Sequence, residues 1–395
     1  MKITILNNDF RVYWKGRLKF LHQYFAEKNI EFTAAEFFGK GTAYDFDQYN
    51  NEHAWWNCLF PDHSSNDLSK NTIKNITFDF LDKVNPDIVI APSIVFFAGA
   101  LGMQWAKKNK KKFVMFDDIK PIQVKRNFFV QTIKNLIMKQ SDALWVPDVD
   151  YDMAYDKMLG KPMTYFHGLS CIDNSLFYYK ENKPLNNKSI LCVARLVPVK
   201  NLDNLLKAWK IVEQSNTGYQ LNIIGSGQQH DYLQSIHASL NLNSVSFLGN
   251  VDNAGIAKHY YYSDALILPS LSETWGLVVN EAMAAGLPIL LSNKVNAISS
   301  LLKENFNGYS FAPLDINGMA NTILRYIELD TDKKQKMSAA SLKMIEAMDY
   351  QNMGHSLYNG LSKIAGSRFK KPGLFNSTII NAWDGRYNTL GWDKI

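Results

Sequence analysis

The stretch ALILPSLSETWGLVVNEAMAAGLPILLSN, residues 265–293, holds a strand, a loop, a helix and a second strand in one run. The apolar tetrad at 265–268 predicts a buried strand, which Pro269 interrupts. A loop follows as far as Trp275, and from Gly276 to residue 285 the pattern is helical. Gly286 and Pro288 close the helix, and 288–291 reads as another short apolar strand. A strand, a helix and a strand in this order require a crossover, so the two strands lie parallel in one sheet.

The same alternation extends upstream, with strands over 189–194, 220–224 and 245–247 and helices over 201–213, 231–240 and 254–263. Before it, the polar, Asn-rich segment KENKPLNNK at 180–188 breaks the pattern and reads as a linker. The first half repeats the scheme, with strands over 2–6, 30–37, 88–91, 113–116 and 143–146 and helices over 15–27 and 127–139. At about 150 residues per domain, 395 residues suit two domains, or two with an appendage. The expected architecture is α/β, with two open parallel sheets facing each other across a cleft. Such sheets bind ligands beyond the carboxyl ends of their strands, so the chemistry should follow the strands.

Hydrophobic residues make up 46% and charged residues 20%, which excludes a disordered, collagenous or coiled-coil chain. Cys58, Cys171 and Cys192 are too few and too scattered for a disulfide framework or a zinc site, which implies a reducing compartment. The start, MKITILNNDF, lacks the long apolar region of a signal peptide. The uncharged stretch 88–103 contains Pro92, Ser93, Gly99 and Gly102, so it reads as strand, turn and helix start rather than a membrane span. A cytoplasmic protein is the expectation. The net charge is +6, yet residues 101–140 alone carry ten Lys or Arg against Asp117 and Asp118.

Three segments carry chemistry. In ILCVARLVPVKNLDNLLKAWKIV, Arg195 comes just after a strand and Lys200 just before a helix. Two cations meeting a helix N-terminus suit a diphosphate; two surface cations beside a loop is the plainer reading. In LNIIGSGQQHDYL, Gly225-Ser226-Gly227 follows a strand, and the third glycine of a dinucleotide fingerprint is replaced by His230. Gly225 is read as a turn that lets backbone approach a ligand. In the opening stretch, Glu273 in the loop can accept hydrogen bonds from sugar hydroxyls, and Glu281 can reach a ribose diol. Backbone N–H groups around Trp275 to Leu277 face phosphate oxygens in this reading. The plain alternative makes both glutamates ordinary helix acids. The D-x-D pairs Asp45/Asp47, Asp148/Asp150/Asp152 and Asp330/Asp332 are read as surface loops, not metal ligands.

The segments ARLVPVKNLDNLLKAW, LNIIGSGQQHDYL, VSFLGNV, YYSDALILPSLSETWGLVVNEAMAAGLP and NGYSFAPLD resemble, in order and spacing, the C-terminal half of retaining GT-B glycosyltransferases of the glycosyl transferases group 1 family. The resemblance implies two Rossmann-like domains, 1–175 for the acceptor and 176–356 for the nucleotide sugar, with 357–395 crossing back onto the first. It implies that Arg195 and Lys200 neutralise the donor diphosphate and that Glu281 binds the ribose. Glu273, with backbone groups of Thr274, Trp275, Gly276 and Leu277, would hold the transferred sugar, and Asn250 and Val251 would pack beside the base. No metal or other cofactor is implied, because basic residues and helix dipoles stabilise the leaving diphosphate. The first half departs from the pattern. NNDFRVYWKGR has only Gly16 where relatives carry a glycine pair, and MFDDIKP has Asp117 and Asp118 where relatives place a His. His167 reads as a structural histidine. Trp383 and Trp392 are expected to anchor the tail on the first domain.

The expected function is metal-independent transfer of a hexose-type sugar from a nucleotide diphosphate sugar to a glycan or lipid-linked acceptor, with retention, in cell-surface polysaccharide or glycolipid synthesis. A sugar-nucleotide epimerase of the same fold and a non-catalytic nucleotide-sugar-binding subunit are the alternatives. The basic segment 101–140, interleaved with Phe113, Phe128, Phe129 and Ile137, raises contact with an anionic membrane surface on its inner face; a solvated basic face is the competing reading. Nucleic acid is not an expected partner, since no RNA- or DNA-reading module accompanies the basic residues.

Overall fold

The computed structural model describes residues 1–10, 13–41, 53–123, 127–178 and 187–385. It divides into two units, one of Met1–Ser170 with the described residues from Tyr350 onward, the other Cys171–Asp349.

The first unit is built on β1 (Lys2–Asn7), β2 (Glu31–Phe38), β3 (Trp56–Phe60), β4 (Ile88–Pro92), β5 (Lys112–Phe116), β6 (Ala143–Trp145) and β7 (Tyr165–Phe166). Their order is β3-β2-β1-β4-β5-β6-β7, and every pair is parallel. The second unit has β8 (Ser189–Val193), β9 (Gln220–Ile224), β10 (Val245–Gly249), β11 (Ala265–Leu268), β12 (Ile289–Ser292) and β13 (Gly308–Phe311) in the order β10-β9-β8-β11-β12-β13, again all parallel. Parallel strands need helical crossovers, and those helices cover both sheet faces. Accordingly every residue of β4, β5, β8, β11 and β12 is buried.

The helix Leu202–Gln214 shows how the second core forms. Leu202, Leu205, Leu206, Trp209 and Val212 recur at helical spacing and are all buried, against the helix Ile316–Ile327 among others. The Trp209 indole N–H donates to Ser244 Oγ at 3.0 Å, so the ring is buried without an orphaned donor.

Several expectations change. The strands β3, β7 and β13 and the helices Lys70–Val84, Asp150–Leu159, Thr331–Ile345 and Tyr350–Ala365 were not anticipated. Asp148, Asp150 and Asp152 do not form a surface loop. Asp148 is 8% exposed and accepts from the Asp150 N–H at 2.9 Å, which starts the helix Asp150–Leu159, and Asp152 bonds His167 at 2.9 Å. Asp330 likewise caps the helix Thr331–Ile345 by accepting from the Lys333 N–H at 2.8 Å. Asp45, Asp47, Lys125, Arg126 and Trp392 lie outside the described residues. The 101–140 segment is not a uniform basic face. Lys107 and Lys112 reach the buried Asp142 at 2.8 and 3.6 Å, Lys134 is 2% exposed, and Phe113 and Ile137 are core residues. No described helix is long and apolar enough to cross a membrane.

Trp383 follows the last described helix, Leu374–Ala382, and is 7% exposed. Its indole donates to Ile94 O at 2.7 Å, and its own carbonyl accepts from the Gln104 amide at 2.6 Å. Trp383→Ala should therefore cost about 3–5 kcal/mol of the first unit's stability. Urea unfolding followed by far-UV circular dichroism measures it; a loss under about 1 kcal/mol would show that the tail contributes no core.

Candidate functional site

In the second sheet the strand order reverses between β8 and β11, which pair through Ala265↔Ile190 and Leu266↔Leu191. Right-handed crossovers leave such neighbours on opposite faces, so the loops after them part and open a crevice at the carboxyl edge. The loop after β8 carries Arg195 and Lys200, and the loop after β11 carries Glu273. The sheet topology thus brings together residues 73 positions apart.

Three contacts hold these two loops against each other. Asn201 is 2% exposed and adopts a left-handed conformation with φ 58°. Its amide donates to Pro269 O at 3.1 Å and to Pro313 O at 2.7 Å. The Leu271 N–H donates to Val199 O at 2.8 Å. Lys200 then forms an ion pair with Glu273 Oε2, an oxygen that also accepts from Ser270 Oγ at 3.3 Å. Their side chains are 13% and 15% exposed, so the pair is partly shielded from water yet within reach of a ligand.

The segment from Glu273 to Gly276 is held from its other side. Glu273 N–H donates to Lys294 O at 3.2 Å, and the Asn296 amide donates to Thr274 O at 2.9 Å. Trp275 is 1% exposed, and its indole donates to Asn280 Oδ1 at 2.9 Å. Gly276 sits at φ 95°, a left-handed conformation that favours glycine, and no side chain caps the helix Leu277–Ala284 that it starts. Positive backbone dipole therefore faces the loop at that end. Over a turn further on, Glu281 is 4% exposed, and its Oε2 accepts from Tyr260 Oη at 2.7 Å.

Gly225 lies in a turn where two loop backbones approach closely. At φ 138° its Cβ would lie 2.0 Å from Ala194 O, while its N–H donates to Gly249 O at 2.8 Å and Leu196 N–H donates to Ser226 O at 2.8 Å. The close approach fixes the loop that carries Arg195. Arg195 is exposed and makes no side-chain hydrogen bond or ion pair among the described residues. Asn250, exposed, and Val251, half-buried, follow β10 at the end of the same edge. The loops after β10, β9, β8 and β11 therefore succeed one another along it. Three strand spacings of about 4.8 Å give a line of roughly 14 Å from Asn250 to Glu273.

In the first unit, the residues standing where a His was expected are held locally. Asp117 Oδ1 accepts from Ile119 N–H at 3.0 Å, and Asp118 O accepts from Tyr151 Oη at 3.0 Å. Tyr260, Asn201, Asn280 and Asn296 were not singled out in the sequence. Only Asn201 carried a local signal, as an Asn directly before a helix.

Two measurements test this packing. Gly225→Ala should destabilise by about 3 kcal/mol or more, since two loop backbones must separate. Gly249→Ala, with nothing within 4 Å of its Cβ but φ 69°, should cost only about 1–2 kcal/mol in thermal unfolding. Equal losses would contradict the close approach. Separately, burial pushes the β8 thiol of Cys192 up from 9.0 to about 12, with Lys200 pulling the other way. The folded state keeps a proton that the unfolded chain releases, so this contribution is full below pH 9.0 and is lost as pH rises toward 12. The stability gap between the parent and Cys192→Ala should narrow above pH 9.0; parallel urea curves at each pH would contradict it.

Residues 177–344 match the family described as glycosyl transferases group 1. The chain is 34% identical over 137 residues to an uncharacterized glycosyltransferase of Haemophilus influenzae, a match covering 34% of this chain and 38% of that one. Across the first curated relatives the matched part is 38–55% of their length. Among solved structures, sucrose-phosphate synthase from Thermosynechococcus elongatus superposes with a TM-score of 0.75 at 16% identity, over 92% of this chain and 98% of that one. Anabaena HepE, solved in complex with UDP and glucose, gives 0.69 at 18% identity, over 92% and 100%. The two parallel-sheet units are those of the GT-B fold. The chain thus has the GT-B fold, and its residues 177–344 are similar to the glycosyl transferases group 1 family.

Proposed function

We propose that this chain transfers a hexose-type sugar from a nucleoside diphosphate sugar to an acceptor hydroxyl. The observation that carries the reading is the line of loops from Asn250 to Glu273 at the reversal of the second sheet. An elongated donor laid along that line meets chemically distinct stations. Asn250 and Val251 would flank the base, and Glu281, steadied by Tyr260, would accept from the ribose hydroxyls. Arg195 and Lys200 would meet the diphosphate. Glu273 and the backbone of Thr274, Trp275, Gly276 and Leu277 would hold the sugar. The UDP and glucose in the Anabaena relative support a nucleotide-sugar donor.

The chemistry we propose is front-face displacement with retention. The bond from the anomeric carbon to the diphosphate oxygen breaks while the bond to the acceptor oxygen forms on the same face. The acceptor proton passes to the leaving phosphate. Charge grows on that phosphate in the transition state, where Arg195 and Lys200 stabilise it without a metal ion. Lys200 is released for this role as the donor exchanges one anion, Glu273, for another. The acceptor is a glycan or lipid-linked glycan in cell-surface polysaccharide or glycolipid synthesis, made at the cytoplasmic side of the membrane.

Donor class is read by a thermal-shift screen against UDP-, GDP- and ADP-linked sugars, followed by product analysis with NMR. Lys200→Ala should weaken donor binding by about 1.5–3 kcal/mol, roughly 10- to 150-fold. Glu281→Gln, which keeps the shape and the Tyr260 bond, should raise the donor KM more than it lowers kcat. Unchanged donor affinity in both variants would refute the assignment, and conversion of the donor sugar without acceptor would point to an epimerase.

A further inference from the structure

The first unit carries an apolar surface that the proposed transfer reaction does not use. The helix Leu374–Ala382, LFNSTIINA, has no charged residue, and it opens with Leu374 at 91% exposure and Phe375 at 70%. Its neighbour, the helix Phe128–Met138, packs against it and opens with a second such pair, Phe128 at 76% and Phe129 at 74%. Large side chains at these exposures gain nothing from the fold, and each pair stands on the first turn of its helix.

Cations precede the first of these pairs in the chain. Arg368, Lys370 and Lys371, all exposed, lead directly into Leu374. Lys161 donates to Lys139 O at 2.9 Å, and Lys370 and Lys139 lie near enough for their charges to lower the Lys161 pKa, after burial, which lowers it most. None of these five has a carboxylate within ion-pair distance among the described residues. By contrast, Lys107 and Lys112 nearby share Asp142. Positive charge is thus left uncompensated beside exposed apolar side chains. A protein partner would have to supply both acids and an apolar pocket, whereas an anionic bilayer offers phosphates and hydrocarbon at adjacent depths.

We infer that this face docks on an anionic lipid bilayer, with Leu374 and Phe375 entering the interface and Arg368, Lys370, Lys371, Lys161 and Lys139 set against lipid phosphates. The inference deepens the proposed transfer, and rests on it in giving a lipid-linked acceptor a surface on which to meet the enzyme. It also centres the lipid contact on the segment around 368–375 and keeps only Lys139 of the 101–140 segment, whose Lys107, Lys112 and Lys134 are buried.

The test is flotation of the full chain with phosphatidylcholine vesicles, with and without phosphatidylglycerol. The protein should float only with the anionic vesicles, and added salt should release it. Leu374→Ser with Phe375→Ser should weaken binding about tenfold or more. Lys370→Glu with Lys371→Glu should do so by at least a similar factor. The replaced side chains are exposed, so both variants should melt like the parent and keep donor binding in the thermal-shift assay. Equal flotation on neutral vesicles, or parent-like flotation of both variants, would overturn the inference. So would a concentration-dependent dimer in light scattering that Leu374→Ser with Phe375→Ser abolishes, since a second copy would then cover the face. Lost flotation with intact donor binding removes only this inference; intact flotation without any donor binding removes the transferase reading instead.

Discussion

The pairing of β8 with β11 is the constraint on which the candidate site rests. These strands are neighbours in the sheet although β9 and β10 lie between them in the chain, so the connections on either side must depart in opposite directions. A crevice at that point follows from topology, whatever side chains fill it. This sequence puts a Lys and an Arg on one lip and a Glu on the other, and the ion pair across the two lips gives them a defined relation.

Around that pair the protein spends buried polar groups on position. The amide of Asn201 answers two carbonyls from two separate loops, the indole of Trp275 is matched by Asn280, and one oxygen of Glu281 is matched by Tyr260. Each would be costly if left alone in a dry interior, so each disfavours any arrangement but the observed one. The consequence is a rigid bed for backbone N–H groups and carboxylates, of the kind that stabilises developing charge without reorganising.

How much of this was visible in the sequence depended on whether the signal was local. The strand 265–268 and the helix that begins at residue 202 declare themselves through apolar runs and helical spacing, and the residues that follow strands were identifiable as site candidates for the same reason. The strand β3, WNCLF, buries only its two ends, and β13, GYSF, is four residues long; both lie at sheet edges, where the apolar pattern thins. Tyr260 lies 21 residues from Glu281, and Asn201 lies 68 and 112 residues from its partners. Which side chain meets which across such distances is decided by packing directions that no one-dimensional pattern encodes. The acidic repeats, read as surface loops, instead start helices at Asp148–Asp150 and Asp330, because Asp is favoured at helix starts as well as in loops.

The crowding along the carboxyl edge is uneven. At the end of β9, a carbonyl stands where any side chain on Gly225 would go, whereas at the end of β10 the space around Gly249 is open and Asn250 is exposed. Insertions or exchanged residues at 249–251 would leave the ion pair, the left-handed Asn201 and the uncapped helix undisturbed. With the donor laid as proposed, the end of β10 is therefore where such a scaffold would acquire a taste for a different nucleobase while the loops beside it stay fixed, and a library aimed at altered donor choice belongs there rather than among the glycines of the neighbouring turn.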